Sequence, residues 1–137
     1  MKPNDQVYRW MTPCPQTIAR DATIAEARAG MRQLDVRHLP VVDSGGLVGI
    51  VSERDLSFAE RFADPRTTAV GDVMTKDPYV TFPYTPLSDV AHAMASLKYG
   101  AAIVIDRGSV VGVFTTTDAL RALAEGHNRR EPMANAR

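Results

Sequence analysis

Apolar residues recur at helical spacing in the first third of the chain. They are Ile24, Ala27, Met31 and Leu34. The stripe begins within Thr23-Ile24-Ala25-Glu26, which has the spacing of a capping box, where a hydroxyl and a carboxylate satisfy the first amide groups of a helix. These positions together predict an amphipathic helix.

Short runs of β-branched residues follow the stripe. Leu39–Val42 and Leu47–Val51 flank Asp43-Ser44-Gly45-Gly46, whose glycines allow the positive φ angles of a tight turn, so the runs predict a β-hairpin. Ser52 then stands at an N-cap position with Asp55 three residues later. This spacing predicts a second helix that continues to about residue 62.

The chain repeats itself after 63 residues, because Met11-Thr12 superimposes on Met74-Thr75 and the two halves then match without a gap. Further matched pairs are Met31 with Met94, Leu34 with Leu97, Val41 with Val104, Asp43 with Asp106, Gly45 with Gly108, Val48-Gly49 with Val111-Gly112, Ser52 with Thr115, and Asp55 with Asp118. Matches through helix, turn and strand in one register indicate a duplication. We predict domains at 7–63 and 70–126, a linker at 64–69 and a flexible tail at 127–137.

The second repeat predicts the same elements. Thr85 is the expected cap with Pro86 at the first helical position, a hairpin runs from Ala101 to Thr115, and the last helix ends near Gly126. A repeat of this size buries only about 60% of its unfolded surface and would be marginal alone. We therefore predict an α+β (mixed α/β) fold, in which two strand–helix–strand–strand–helix units pack through their sheets about a pseudo-twofold axis.

Composition excludes several classes of function. Lys+Arg and Asp+Glu are 16 each, so no net basic field attracts nucleic acid or anionic lipid. No apolar run is long enough for a signal peptide or a membrane span, and we expect a cytoplasmic protein. Cys14 is the single cysteine, and neither it nor His38, His92 and His127 has the spacing of a metal site or a catalytic pair. We predict no catalytic residue and no metal.

The duplicated signature resembles a known family. Met-Thr, a capped helix, Arg37-His38-Leu39-Pro40-Val41-Val42-Asp43 and Gly49-Ile50-Val51-Ser52-Glu53-Arg54-Asp55-Leu56, repeated in Gly112–Asp118, strongly resemble a CBS (cystathionine-β-synthase-type) domain from about Val7 to Glu125. The resemblance implies a tandem CBS pair that is a regulatory, energy-sensing module and usually a homodimer. It implies AMP, ADP or ATP as ligand, or S-adenosylmethionine, with no required cofactor and an unknown target protein.

The signature also has a chemical interpretation. A strand that enters a helix through Ser52 or Thr115 places a hydroxyl and free amide groups where an anion such as phosphate is favoured. The carboxylate of Asp55 or Asp118, one turn later, can accept both hydroxyls of a ribose cis-diol. The same spacing is also that of an ordinary helix cap, and this alternative stays open.

The resemblance implies two ligand clefts. The first would combine Ile50, Ser52, Arg54, Asp55 and Arg37 with Tyr99 and Gly100 of the other unit, and the second would combine Val113, Thr115, Thr117 and Asp118 with Val36 and Arg37. Since Gly100 stands where the first repeat has Arg37, we expect the Asp55 cleft to be better equipped for phosphate. Arg37 could instead be a solvated charge at the end of a strand.

Alternatives remain for the function and for single residues. The module could be a structural dimerisation or protein-interaction unit with degenerate clefts, or a fragment-like relative of the regulatory region of IMP dehydrogenase, since the chain is too short for a catalytic (β/α)₈ barrel. His38 and His92 are expected at the surface. Core or dimer contacts are expected for Met11, Met74, Tyr8 and Trp10.

Overall fold

A computed structural model describes residues 5–14 and 16–135, with side chains described as far as residue 126. Two 3₁₀ turns lie at Val7–Arg9 and Val70–Asp72. The other elements are β1 (Thr12–Pro13), β2 (Ile18–Ala19), α1 (Ile24–Leu34), β3 (His38–Asp43), β4 (Gly46–Ser52), α2 (Glu53–Ala59), β5 (Thr75–Lys76), β6 (Val80–Thr81), α3 (Leu87–Leu97), β7 (Ala101–Asp106), β8 (Ser109–Thr115) and α4 (Thr116–Asn135). No helix of the described residues is both long and apolar enough to span a bilayer.

The described chain forms two compact units. One consists of residues 14–78 and is called the Asp55 unit; the other joins residues 5–13 to residues 79–135 and is called the Asp118 unit. Each has one four-stranded mixed sheet and two helices, which confirms the predicted mixed α/β class. Each repeat also contains a second short strand that the strand–helix–strand–strand–helix prediction did not include.

In each unit one edge strand comes from the start of the other repeat. The Asp55 unit has the order β2-β3-β4-β5, and the Asp118 unit has the order β1-β8-β7-β6. β2 pairs with β3, and β6 with β7, in parallel, whereas the remaining pairs are antiparallel. The segment 5–13 therefore belongs to the Asp118 unit, and the segment 70–78 completes the Asp55 unit.

A methionine lies against a strand glycine in both units. A Cβ atom at Gly49 would lie 2.5 Å from Met74 Sδ and 2.7 Å from the Thr75 carbonyl oxygen, and one at Gly112 would lie 2.6 Å from Met11 Sδ. Only glycine lets the edge segment approach the sheet this closely. The repeated Met-Thr and Val-Gly pairs of the sequence are therefore explained by one contact, in which the methionine of one repeat lies against the strand glycine of the other.

The edge segments also satisfy the starts of α1 and α3. The Ile24 amide donates to the Thr68 carbonyl at 3.0 Å, and the Leu87 amide donates to the Asp5 carbonyl at 2.8 Å. In α1 the predicted capping box is present, with the Thr23 side chain accepting from the Glu26 amide. The predicted linker residues thus cap a helix through their carbonyl groups.

Thr85 is not the cap of α3, so this prediction was wrong. The N-cap is Pro86, which has no side-chain cap hydrogen bond. Thr85 instead closes the preceding turn, where its amide donates to the Phe82 carbonyl at 3.1 Å. The shift of 63 residues carries Thr23 onto Pro86, and the Asp89 amide, which corresponds to that of Glu26, donates to the Pro86 carbonyl at 3.0 Å instead of to a hydroxyl.

The hairpins match their prediction. The turn residues all have positive φ, as a two-residue turn of this hand requires: Ser44 and Gly45 between β3 and β4, and Arg107 and Gly108 between β7 and β8.

Two helix ends differ from the prediction. α2 ends at Ala59 instead of near residue 62, and α4 continues beyond Gly126 to Asn135, so the described part of the predicted tail is helical.

Apolar side chains from helices and strands form the core of each unit. In the Asp118 unit the buried cluster is Val7, Trp10, Leu87, Val90, Met94, Ala102, Val104, Phe114 and Ala122. Trp10 is thus a core residue, whereas Tyr8 is half exposed with its ring edge-to-face on Tyr84. In the Asp55 unit Ile24, Ala27 and Met31 are buried as predicted, but Leu34 is 40% exposed.

Because of the methionine–glycine contact, we expect the stability cost of a glycine-to-alanine substitution to depend strongly on which glycine is replaced. Gly49→Ala should lower the free energy of unfolding by about 1–3 kcal/mol, because its methyl group would overlap Met74 and the Thr75 carbonyl. Gly100→Ala is the matched control, since a Cβ there meets nothing within 4 Å. Urea denaturation of both variants measures the difference, and equal stabilities would contradict this account of the edge strands.

Candidate functional site

The strand-to-helix junction of the Asp55 unit holds most of the residues singled out by the sequence. β4 ends at Ser52, whose Oγ accepts from the Asp55 amide at 3.0 Å, while Asp55 Oδ2 accepts from the Ser52 amide at 2.9 Å. The predicted N-cap is therefore confirmed as a reciprocal capping box. Residues 36 and 37 lie beside it, because the Glu53 amide donates to the Arg37 carbonyl at 2.9 Å.

Asp55 keeps one carboxylate oxygen for another partner. Its Oδ2 is used by the cap, and Oδ1 has no hydrogen-bond partner among the described residues. The residue is half-buried. A carboxylate with one oxygen held and the other open to solvent is oriented to accept a hydroxyl hydrogen bond.

Cationic side chains flank this carboxylate along the chain. Arg37 and Arg54 are both exposed, and neither forms an ion pair with any described residue. Of the first three amides of α2, those of Glu53 and Asp55 are bonded to Arg37 and Ser52, which leaves the Arg54 amide. An anion at this junction would therefore bind mainly to guanidinium groups.

The corresponding junction of the Asp118 unit has a different arrangement. Asp118 is 3% exposed, and its Oδ2 accepts from the Thr115 amide at 2.9 Å and the Thr115 hydroxyl at 3.1 Å. The Thr12 hydroxyl contacts Oδ1 at 3.1 Å and Oδ2 at 3.2 Å, and Arg121 Nη2 donates to Oδ1 at 3.1 Å. Removal of this carboxylate would leave several donors unpaired, so Asp118 also holds its own unit together.

The other predicted site residues lie at the same two junctions. Val36 and Ile50 are half-buried in the Asp55 unit, whereas in the Asp118 unit Thr117 is exposed and Val113 is 2% exposed. The Gly100 carbonyl accepts from the Thr116 amide at 3.1 Å, which repeats the bond from Glu53 to Arg37. The grouping of residues from both units in one cleft stays a prediction.

Tyr99 belongs to an aromatic pair that the sequence did not indicate. Its ring stacks on Tyr79 with centroids 5.3 Å apart and an interplanar angle of 3°. Tyr99 is 38% exposed, so part of its surface is accessible. Tyr79 precedes β6, which pairs with β7, and only this strand pairing reveals that the two rings meet.

Thr12 and Arg121 were also missed as functional candidates. Thr12 was noted only as part of the repeated Met-Thr pair, and its hydroxyl reaches Asp118 across 106 positions of the sequence. Arg121 lies three residues after Asp118, a spacing that places two side chains on one helix face and could have suggested their ion pair.

Other possible sites are few in the described part of the chain. No group of three His, Cys, Asp or Glu side chains there could hold a metal ion. His92 is exposed, as expected. A cavity of about 440 Å³ lies beside the hairpin turn of the Asp55 unit, lined by Ala19, Arg20, Asp21, Val42, Asp43, Ser44, Ala69, Gly71 and Asp72, and it contains none of the predicted ligand residues.

Known proteins match the chain in sequence and in fold. The sequence model of the CBS domain matches residues 6–61 and 70–125. Inosine-5′-monophosphate dehydrogenase of Korarchaeum cryptofilum is 34% identical over 103 residues, which cover 74% of this chain and 21% of that enzyme. The chain thus spans about a fifth of that relative's length.

Two solved structures resemble the fold and contain ligands. CBSX2 of Arabidopsis thaliana, in complex with AMP, is 28% identical with a TM-score of 0.67, covering 88% of this chain and 96% of CBSX2. The CBS domain pair of protein MJ0100, in complex with 5′-methylthioadenosine and S-adenosyl-L-methionine, is 26% identical with a TM-score of 0.78, covering 90% and 99%.

Cys14 is a buried thiol within a loop. It is 3% exposed, and its Sγ lies 3.6 Å from the Gln16 carbonyl oxygen. Burial raises the pKa of the thiol above its ordinary value, and this effect outweighs the opposite one of the hydrogen bond to Gln16. The neighbouring Pro15 lies outside the described residues.

Because the pKa of Cys14 is raised, its reactive thiolate is scarce near pH 8. Labelling by a thiol reagent at pH 8 should be slower in the folded protein than in urea by at least about tenfold, since burial and the raised pKa both oppose attack. The release of the chromogenic thiolate measures both rates. Equal rates would show an accessible, ionised thiol and reopen a chemical role for Cys14.

Proposed function

Since the chain belongs to the CBS domain family, we propose that it is a non-catalytic regulatory module that binds an adenosyl ligand. AMP, ADP and ATP are the first candidates, and S-adenosylmethionine is the second. The observation that carries the proposal is the Asp55 carboxylate, which has one oxygen without a hydrogen-bond partner, and two nearby arginines without an ion pair, among the described residues. Its relatives support the ligand class, because CBSX2 is in complex with AMP and MJ0100 with two adenosyl compounds.

The ribose is recognised by Asp55 in this proposal. Its carboxylate is already oriented by the Ser52 amide, so little conformational entropy is lost when the second oxygen accepts hydroxyl groups. Each charge-assisted hydrogen bond of this type contributes about 1.5–3 kcal/mol. A cis-diol supplies two donors at the correct separation, which distinguishes a ribonucleotide from its deoxy analogue.

The phosphate interacts with Arg37 and Arg54. Guanidinium groups bind phosphate oxygens in a bidentate manner and remain charged at all physiological pH values. Both side chains lack a competing carboxylate among the described residues, so no internal ion pair has to break first. Adenine then lies against Ile50 and Val36, which are half-buried beside the same junction.

The ligand signal passes to another protein through a homodimer in this proposal. Large apolar side chains are exposed on a helix, or in the turn that follows it, in both units. They are Phe58 and Phe62 in the Asp55 unit and Leu120 and Leu123 in the Asp118 unit. The same exposure supports the second candidate function, a structural interaction module that needs no ligand. Ligand binding distinguishes the two candidates.

Removal of the ribose contact should weaken nucleotide binding. Asp55→Ala should raise the dissociation constant for AMP by at least about tenfold, because the diol loses its charged acceptor. The control is Asp21→Ala, which removes an exposed carboxylate elsewhere in the same unit. Isothermal titration calorimetry measures both, together with 2′-deoxy-AMP on the unaltered protein, whose affinity should also fall. Unchanged affinity in a folded Asp55→Ala variant contradicts the ribose assignment.

Loss of a phosphate contact should affect AMP more than adenosine. Arg37→Ala should weaken AMP by about one to two decades, since a charge-assisted contact is lost, and adenosine much less. Arg32→Ala, which removes an exposed arginine near the end of α1, is the matched control. The AMP effect should shrink at high salt. Equal losses for AMP and adenosine would assign Arg37 to the fold instead of the ligand.

A further inference from the structure

The two repeats carry the same signature, but only one carboxylate is open. Asp118 accepts from the Thr115 amide, the Thr115 hydroxyl, the Thr12 hydroxyl and Arg121, and both its oxygens are used. Among the described residues, Asp55 accepts from the Ser52 amide alone. A carboxylate offers about four lone-pair positions, so Asp118 has none left for a diol.

The repeat register shows which substitutions produce this difference. Arg121 corresponds to Phe58 under the shift of 63 residues, and the Phe58 side chain has no hydrogen-bond donor. Thr12 corresponds to Thr75, which is exposed and donates no hydrogen bond to Asp55. The Thr12 and Arg121 donors of Asp118 therefore have no functional equivalents around Asp55 among the described residues.

Displacement of these donors would disturb more than one bond. Arg121 also donates to the Trp10 carbonyl at 3.0 Å, and the Trp10 side chain is in the core of the Asp118 unit. Thr12 lies in β1, whose pairing with β8 completes the sheet. A ribose at Asp118 would thus compete with contacts that hold the edge segment 5–13 in its unit. A ligand that must break two charge-assisted bonds should bind more than about a hundredfold more weakly.

We propose that Thr12 and Arg121 close the Asp118 carboxylate to ligands, so that each chain binds one adenosyl ligand, at Asp55. This inference rests on the proposed function, since it names which of the two signatures performs it. In this arrangement Asp118 has only a structural role, in which it caps its helix and holds the edge segment. Asp55 caps its helix and also binds the ligand.

The first test is the stoichiometry of AMP binding by calorimetry. The unaltered protein should bind one AMP per chain, and Asp55→Ala should leave no second site of comparable affinity. Two equivalent sites per chain, or one equivalent retained in Asp55→Ala, would overturn the inference while still supporting a module that binds an adenosyl ligand. No binding of AMP, ATP, adenosine or S-adenosylmethionine by the unaltered protein would overturn the proposed function and this inference with it.

The second test opens the closed carboxylate. Thr12→Val combined with Arg121→Phe removes both donors and copies the residue found at position 58. Adenosine is the probe, because Gly100 stands where a phosphate-binding Arg37 would be needed. The variant should bind two adenosines per chain. A single site in a folded variant would show that something else closes Asp118 and would overturn the inference.

Thr75 provides the matched control for Thr12, and a measurement of folding accompanies every variant. Thr75→Val makes the equivalent hydroxyl change in the Asp55 unit, where that hydroxyl has no bond to the carboxylate, and should leave one AMP site of unchanged affinity. Thermal unfolding monitored by circular dichroism verifies that each variant is folded. If the double variant does not fold, the titrations of the unaltered protein and of Asp55→Ala still decide the outcome.

Discussion

One edge strand of each sheet is supplied by the opening segment of the other repeat, and several other contacts depend on this exchange. An unpaired edge would expose amide and carbonyl groups of the second hairpin strand, and β1 and β5 pair with these groups. The same segments place a methionine on a strand glycine and a carbonyl on the first amide of a helix. Neither repeat satisfies its own sheet edge and helix start, which gives a physical reason for the duplication.

The second recurring constraint is the reciprocal cap at each strand-to-helix junction. A hydroxyl residue at the N-cap and an aspartate three residues later bond to each other's amides, which fixes both the strand end and the aspartate side chain. The cap needs only one carboxylate oxygen. Whatever meets the second oxygen decides whether the aspartate is purely structural or also available to a ligand.

This division shows how duplicated sites can diverge without loss of the fold. A change from Phe to Arg one turn into a helix leaves the cap intact but adds a cation that pairs with the aspartate, as the comparison of Phe58 with Arg121 shows. In the proposed function, ligand and protein donors compete for the same carboxylate oxygens. Internal donors prevail where they also anchor the edge segment, because their loss would cost stability as well as one hydrogen bond.

Local sequence determined the helices, hairpins and caps of this protein, because spacing and turn chemistry act within a few residues. The capping boxes at Thr23 and Ser52 and the positive-φ turn at Gly45 follow directly from such patterns. Only the tertiary structure decided that the Leu87 amide is capped by the Asp5 carbonyl instead of by Thr85, and that the Thr12 hydroxyl contacts Asp118. These features depend on which distant segment completes each sheet, and hydrophobic periodicity within one repeat carries no information about that partner.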